Sequence, residues 1–127
     1  MSRKVVQSPL APKAVGPYSH AASARGLLFT SGQIPLDPAT GKLETGSIDA
    51  QTRRVLDNLA AVLVAGGTSL ARVVKTTIYL TNLADFSAVN AVYGTYFPSD
   101  PPARSTVQVS ALPLGASIEI EAVAEVP

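Results

Sequence analysis

Residues 117–124 read Ser-Ile-Glu-Ile-Glu-Ala-Val-Ala, which is the cleanest alternation of polar and apolar side chains in the chain. Alternation with a period of two is typical of a β-strand, because successive side chains point to opposite faces of a sheet. The segment therefore predicts a strand with Glu119 and Glu121 on one face and the two isoleucines on the other.

A helical pattern occupies residues 47–67. Ser47 is a good N-cap, and Asp49 places negative charge in the first turn, where the helix dipole favours it. Gly66-Gly67 supplies the stop. Between these limits the apolar residues recur at helical spacing and define one face: Val55, Leu56, Leu59, Val62 and Leu63.

A second helix is predicted to begin between Asn82 and Asp85 and to reach about Phe97, because Pro98 stops it. The β-rich segments are predicted at residues 5–6, 18–25, 27–31, 73–80 and 103–109, with a hairpin turn at Arg25-Gly26. The resulting order, β-β-β-α-β-α-β-β, predicts an α+β domain: one mostly antiparallel six-stranded sheet with both helices on a single face. No repeat or linker divides the chain, so residues 1–127 are predicted to form one domain.

The surface of such a domain is short of charge. Charged residues make up 15% of the 127-residue chain and hydrophobic residues 46%, with a mean hydropathy of +0.25, whereas an average globular chain is about 25% charged. A small domain has to cover its excess apolar area, and a subunit interface is the usual place. The composition therefore predicts a homo-oligomer.

Several classes of function are disfavoured. With no cysteine and a single histidine, His20, the chain has no disulfide, thiolate metal site or multi-histidine metal site. The net charge is +1 and the basic residues are scattered, which is unlike a nucleic-acid binder. No apolar run suits a secretory signal, and the longest, residues 59–65, is far below the ~18 residues of a membrane span. These features predict a cytoplasmic protein.

Arg104 is the first candidate for chemistry. It follows Pro101-Pro102, and in a strand it shares one face with Thr106 and Gln108. A guanidinium held by a stiffened backbone suits two-pronged recognition of a carboxylate. The alternative is a solvated arginine at the sheet edge.

Glu119 and Glu121 are the second candidates. Two apart on a strand, they lie on one face about 7 Å apart. They are either ordinary solvent-facing acids or groups that flank a reaction centre. The face opposite the helices is expected to be an interface, and a glutamate there needs a partner or a function.

Weaker signals come from isolated polar residues. Asn90 falls among the apolar and aromatic residues of the second helix, so its amide is expected either to bond a neighbouring backbone group or to brace a loop or ligand. Tyr18 and the Ser31-Gly32 pair lie at strand ends and offer donors to a small polar ligand, although each is also ordinary turn chemistry. His20 is more often structural than a proton carrier.

Many segments of the chain carry a resemblance when they are taken together and in order. In the N-terminal half they are Gly16-Pro17-Tyr18-Ser19, Phe29-Thr30-Ser31-Gly32-Gln33-Ile34-Pro35, Thr40-Gly41, Gln51 through Leu56-Asp57-Asn58-Leu59, and Ala65-Gly66-Gly67. In the C-terminal half they are Val74-Lys75-Thr76-Thr77, Phe86 to Phe97 with Asn90 and Tyr93, Pro102-Ala103-Arg104-Ser105, and Ile118-Glu119-Ile120-Glu121-Ala122. The chain resembles the Rid family, the YjgF-like proteins once labelled translation inhibitors.

The resemblance implies a chorismate-mutase-like (bacillary) α+β fold, assembled as a homotrimer with three sites in the clefts between subunits. It also implies hydrolysis of enamines and imines, such as 2-aminoacrylate, 2-iminopropanoate and 2-iminobutanoate, to 2-keto acids and ammonia, with no metal and no cofactor. Position by position, Arg104 matches the residue that grips the substrate carboxylate, and Glu119 matches the acid associated with water attack. Tyr18, Ser31, Gly32 and Asn90 match residues that line the cleft.

One position departs from the family pattern. Many members have cysteine two residues after the arginine, whereas this chain has Thr106, which we also expect to contact substrate. A further expectation is that an arginine near Glu119 favours its ionised form.

Two other functions are compatible with the same residues. One is a non-catalytic trimer that binds small carboxylates. The other is an RNA-directed endoribonuclease or translation inhibitor, which the single histidine and the net charge of +1 make the weaker option.

Overall fold

The chain is built around one mixed sheet and two helices, described here for residues 3–127 of a computed structural model. The strands are β1 (Lys4–Val6), β2 (Ala21–Ala24), β3 (Leu27–Thr30), β4 (Val73–Leu80), β5 (Ala103–Gln108) and β6 (Ile118–Glu125). The helices are α1 (Ile48–Ala65) and α2 (Phe86–Tyr96), and single 3₁₀ turns occur at Leu70–Arg72, Leu83–Asp85 and Pro113–Gly115. The predicted order of elements is confirmed.

The six strands lie in the order β1-β2-β3-β6-β4-β5. Every neighbouring pair is antiparallel except β4 and β5, which are parallel. The exception follows from connectivity, because α2 crosses between β4 and β5 and a parallel pair needs such a crossover. The predicted mostly antiparallel six-stranded sheet is therefore confirmed.

The helices cover one face of this sheet, as predicted. All five apolar residues predicted for the face of α1 are completely buried. Beneath the helices lie the inward residues of β6 and β4, among them Ile118, Ile120, Ile78 and Leu80, each with no exposed surface. No helix or strand of residues 3–127 packs over the other face of the sheet, which we call the open face.

The predicted hairpin turn and helix cap are both present at the predicted residues. Arg25 and Gly26 have φ angles of 52° and 78° and join β2 to β3 in a two-residue hairpin, which is the left-handed geometry that such turns require. The Ser47 hydroxyl accepts the N–H of Ala50 at 3.1 Å and caps α1.

The second strand is shorter than the predicted residues 18–25 and begins only at Ala21. The Gly16-Pro17 turn closes on itself here: the Tyr18 N–H donates to Gly16 O at 2.9 Å, and Tyr18 therefore stays out of the ladder. The sequence prediction missed this because the turn residues and the strand formers are adjacent.

His20 holds the irregular segment that precedes β2. It is 4% exposed, its Nδ1 accepts the Ser8 N–H at 2.9 Å, and Nε2 lies 2.7 Å from Pro12 O. Because Nδ1 is an acceptor, the ring proton sits on Nε2 and donates to that carbonyl. Both nitrogens are occupied by the backbone, so His20 is structural.

Asn58 performs a similar task for the segment after β3. This α1 residue is fully buried, and its Nδ2 donates to Leu36 O at 2.9 Å and to Ile34 O at 3.3 Å. Its Oδ1 accepts from Arg54 Nε at 3.2 Å. Leu36 O has no other donor among residues 3–127, whereas Ile34 O also accepts the Leu36 N–H at 2.7 Å.

Neither helix in residues 3–127 combines the length and the apolar character that a membrane crossing demands.

We expect Asn58→Leu to destabilise the protein by about 1–3 kcal/mol, because it leaves the Leu36 carbonyl without a donor. Gln51→Leu is the matched control: this amide, on the same helix, donates to Gly46 O at 3.0 Å but at an exposed position, and its loss should change the stability by no more than about 0.5 kcal/mol. Urea unfolding of both variants measures the difference. Equal losses would contradict a special role for the buried amide.

Candidate functional site

A cavity of about 280 Å³ opens where the end of β3 meets the start of β6. Its polar wall consists of Tyr18, Ser31, Gly32 and Glu119, and its apolar wall of Val15, Ile34 and Pro113. We call it the Glu119 cavity. Four of the residues predicted from the sequence to form a site are therefore brought together, although they lie up to a hundred residues apart in the chain.

The backbone explains this convergence. Immediately after β3 the chain makes an isolated antiparallel bridge, in which the Gln33 N–H donates to Ile120 O at 2.9 Å and the Ile120 N–H donates to Gln33 O at 3.1 Å. In this antiparallel bridge Gly32 faces Glu121 and is the diagonal neighbour of Glu119, on the same face and within reach of the long Glu119 side chain.

Hydrogen bonds within the chain decide which groups are free for a ligand. The Ser31 hydroxyl donates to Ser19 O at 2.6 Å, and its N–H donates to His20 O at 2.8 Å. Ser31 can therefore only accept from a ligand, which corrects the expectation that it donates. The Tyr18 oxygen accepts the Val15 N–H at 3.2 Å and keeps its own proton available. Over residues 3–127 the Gly32 N–H has no backbone acceptor.

Gly32 is glycine for reasons of space. A Cβ at this position would overlap the Glu119 carboxylate, lying 2.6 Å from Cδ and 2.9 Å from Cγ. Real Cβ atoms do not approach carbon that closely. The missing side chain lets the carboxyl group fold down into the cavity.

The Glu119 side chain is half-buried on the open face, and burial raises its pKa above the usual value. The Glu121 carboxylate on the same face raises this pKa further by like-charge repulsion. Tyr79, which pairs with Glu119 across the ladder, has a raised pKa from burial and from the same two acids. The expectation that an arginine holds Glu119 ionised is therefore wrong for the chain by itself.

Arg104 lies on the other side of the sheet. It pairs with Thr76 of β4, which is fully buried beneath the helices, so the Arg104 side chain also points to the helical face. Its guanidinium carbon is 4.9 Å from the ring centre of Tyr93 and 5.4 Å from that of Phe86. The alternative of a freely solvated edge arginine is thus excluded, and so is direct contact with Glu119 of the same chain.

The remaining predicted residues are on the side of Arg104. Asn90 is half-buried on α2, one turn from Phe86 and one from Tyr93. Thr106 follows Arg104 on the same strand face, and its hydroxyl oxygen is buried with no hydrogen-bond partner among residues 3–127. We call Phe86, Asn90, Tyr93, Arg104 and Thr106 the Arg104 cluster.

Sequence reasoning missed part of both groups. Val15, Ile34 and Pro113 carry no chemical signal of their own and reach the cavity only through the fold. Phe86 and Tyr93 were recognised as helix residues, but their contact with Arg104 needs the crossing of α2 over β5. No group of three or more histidine, aspartate or glutamate side chains within residues 3–127 could hold a metal ion.

The whole chain is similar to proteins of one known family. The sequence model of the family described as "Endoribonuclease L-PSP" matches residues 8–126. Protein DfrA of Myxococcus xanthus is 56% identical over 98% of this chain and 96% of its own length. Reactive Intermediate Deaminase A, chloroplastic, of Arabidopsis thaliana is 51% identical over 98% of this chain and 66% of its own length. Human 2-iminobutanoate/2-iminopropanoate deaminase is 44% identical over 96% of this chain and 89% of its own length.

Solved structures agree with the sequence relatives. YEO7 from yeast superposes with a TM-score of 0.97 at 44% identity and covers 99% of this chain and 100% of its own. A protein of unknown function from Yersinia pestis, YyfA, assigned to the conserved Rid family, superposes with a TM-score of 0.94 at 50% identity and covers 98% and 100%. The predicted fold, with two helices on a mostly antiparallel sheet, is the fold of these structures.

We expect Glu121→Gln to lower the pKa of Glu119, because it removes the second cause of the upward shift and leaves the first in place. The Glu119 carboxyl should then lose its proton at a lower pH than in the unaltered protein, yet still above the ordinary range. Titration of the side-chain carboxyl carbon by NMR measures this. An unchanged titration would show that the two acids do not interact.

We expect Gly32→Ala to lower the same pKa by a different route, since the new methyl group displaces the carboxylate from the cavity into water and removes the effect of burial. Gly41→Ala is not a suitable control because its φ of 73° would add backbone strain. Gly94→Ala, with nothing within 4 Å of the added carbon, is the matched control and should leave the Glu119 titration unchanged. A Glu119 pKa that stays raised in Gly32→Ala would contradict the steric argument.

Proposed function

The chain belongs to the Endoribonuclease L-PSP family, the YjgF/Rid group, and from this premise we propose that it is a homotrimeric deaminase. In this proposal it hydrolyses the reactive imines and enamines of small 2-amino acids, namely 2-aminoacrylate, 2-iminopropanoate and 2-iminobutanoate, to 2-keto acids and ammonia. Relatives from Arabidopsis, mouse and human carry deaminase names at 44–51% identity. The substrates are proposed here on that basis.

One observation carries the proposal: Glu119 and Arg104 lie on opposite faces of the sheet in one chain. The Glu119 cavity has no lysine or arginine in its wall, so a substrate carboxylate bound there would lack a counter-charge from the same chain. A second copy that sets its Arg104 cluster against this cavity supplies the missing cation. The site then forms between neighbouring protomers.

The open face supports assembly. Apolar side chains stand on it with large exposed fractions: Val5 at 57%, Phe29 at 48% and Val107 at 43%. Val5 and Val107 lie on the two edge strands, and Phe29 lies on β3 in the middle of the sheet. All three share the open face with Glu119 and Glu121. An apolar face of this extent on a charge-poor chain is typical of a subunit interface.

In the proposed mechanism the Arg104 of one protomer binds the substrate carboxylate in a two-pronged contact. This fixes which face of the C=N carbon is open to the Glu119 of the next protomer. Glu119 accepts a proton from water as the water oxygen bonds to the carbon of the protonated imine and the π pair of the C=N bond moves to nitrogen, giving a neutral carbinolamine. Positioning of this kind contributes several kcal/mol, and one general base adds about 10²–10⁴-fold in rate.

Glu119 can also serve the second half of the reaction. Burial raises its pKa in the single chain, and in the proposed site the charge of Arg104 from the neighbouring protomer is paired with the substrate carboxylate, so Glu119 holds the accepted proton better than an exposed glutamate does. Glu119 can return that proton to the nitrogen, and ammonia leaves as the C–N bond breaks and the C=O bond forms. The carbinolamine hydroxyl proton passes to solvent. The Tyr18 hydroxyl, which keeps its proton, and the Gly32 N–H are the proposed donors that orient the carbonyl oxygen.

The alternative of RNA cleavage is less favoured by the same observations. His20, the only histidine of the chain, is buried with both nitrogens bound to the backbone, so it cannot act as acid or base. Even with Arg104 from a second copy, the Glu119 cavity combines one cation with an acid, whereas nucleic-acid binding relies on a patch of several basic side chains.

A cytoplasmic location stays a prediction, since the Arabidopsis relative is named as chloroplastic.

The direct test is a coupled assay in which a PLP-dependent dehydratase releases 2-aminoacrylate from serine while pyruvate is followed. The protein should accelerate pyruvate formation, and Arg104→Ala should not. If the unaltered protein binds pyruvate without any acceleration, the non-catalytic carboxylate-binding trimer replaces the deaminase.

A mixing experiment tests whether the site is shared. Arg104→Ala and Glu119→Gln alone are each expected to lose about 10²-fold or more in kcat/KM. When the two variants are co-expressed in equal amounts, random assembly of trimers pairs an intact Arg104 with an intact Glu119 in about one site in four. Recovery of about a quarter of the full activity supports the shared site. A co-expressed sample as inactive as its parents contradicts it, provided light scattering shows a mass of about 39 kDa for three 13.1 kDa chains.

A further inference from the structure

The two aromatic rings beside Arg104 are held by independent contacts. Tyr93 is 5% exposed, and its hydroxyl lies 2.7 Å from the Thr76 hydroxyl on the neighbouring strand. It also stacks on Phe97 with ring centres 4.6 Å apart. Tyr93 is therefore fixed from the core side, whether or not Arg104 is present.

Phe86 lies at the solvent-exposed end of the contact with Arg104. It is the first residue of α2 and is 37% exposed. The turn before it is tied to the end of β5, because the Gln108 Oε1 accepts the Leu83 N–H at 2.8 Å. Gln108 shares a strand face with Arg104, so one strand positions both the guanidinium and the helix end that carries the ring.

A guanidinium placed over rings is oriented as well as attracted. Stacking uses the faces of the cation and leaves its five N–H donors, which radiate in its plane, available at the edge. Within the described residues no carboxylate pairs with Arg104, so the aromatic rings are what restrains it.

From this geometry we infer that Phe86 is a positioning residue for anion recognition: with Tyr93 it holds the plane of the Arg104 guanidinium so that the N–H fork points at a ligand carboxylate. The inference rests on the proposed role of Arg104 as the carboxylate-binding residue. Phe86 is the informative ring of the two, because Tyr93 is also part of the buried core and its loss would disturb the fold.

The test compares Phe86→Leu with the conservative Phe86→Tyr in the full-length assembled protein. Leucine keeps apolar bulk but has no π-face, whereas tyrosine keeps the ring. The ligands are pyruvate and its neutral amide, pyruvamide, with dissociation constants from NMR titration. Steady-state kinetics on 2-aminoacrylate provide KM and kcat separately.

Phe86→Leu should weaken pyruvate binding and raise KM by about two- to fivefold, the range expected for loss of a partly exposed cation–π contact. Its kcat should be unchanged, pyruvamide should bind with unaltered affinity, and Phe86→Tyr should restore pyruvate binding. Equal weakening of pyruvate and pyruvamide would indicate a packing effect and overturn the inference. So would pyruvate binding by Phe86→Leu that matches the unaltered protein.

The outcome separates this inference from the proposed deaminase. Suppose that neither the unaltered protein nor any variant turns over 2-aminoacrylate, and that Phe86→Leu weakens the binding of pyruvate but not of pyruvamide. The positioning role is then supported and the deaminase is contradicted. If turnover is present but the Phe86 variants bind and react alike, the deaminase stands and the positioning role fails.

Discussion

The short bridge between Gln33 and Ile120 is the contact on which the Glu119 cavity depends. It extends the β3–β6 pairing past the end of β3 and brings the chain after Thr30 against the start of β6. Without this pairing Gly32 would have no fixed relation to Glu119, and the carboxyl group would be exposed on an open sheet face. The same backbone contact thus sets the position of the acid, the degree of its burial and the direction of its pKa shift.

Two further buried side chains serve this contact from a distance. Asn58 holds the carbonyls of Ile34 and Leu36, just beyond the bridge, and His20 holds the segment that carries Tyr18. Each is a buried polar side chain that hydrogen-bonds the backbone of an irregular segment and so fixes that segment to the core. Apart from Glu119 of β6, the cavity is lined by residues outside the strands and the two α-helices, and these segments are fixed by buried residues of α1 and of the entry to β2.

Arg104 and Glu119 can influence each other's ionisation only through assembly. An arginine close to a carboxyl lowers the carboxyl pKa, so the raised pKa of Glu119 is a property of the single chain. On opposite faces of the sheet the two groups keep their separate environments, one carboxyl raised by burial and one cation held against aromatic rings. Assembly, in the function proposed above, is what brings them together, so oligomeric state and chemistry are linked.

Local patterns in the sequence were enough to give the elements and the faces of each element. Alternation in residues 117–124 placed Glu119 and Glu121 opposite the isoleucines, helical spacing gave the buried face of α1, and turn residues gave the hairpin at Arg25-Gly26 and the Ser47 cap. These are local consequences of side-chain period and backbone geometry, which a sequence states directly. Three relations come from the folded chain: the Glu119 side chain contacts Gly32, the Ser31 hydroxyl donates its proton to Ser19 O, and Arg104 lies across the sheet against Phe86 and Tyr93. Those relations depend on strand order and on the crossing of α2 over β5, and contacts between residues far apart in the chain leave no periodic trace in it.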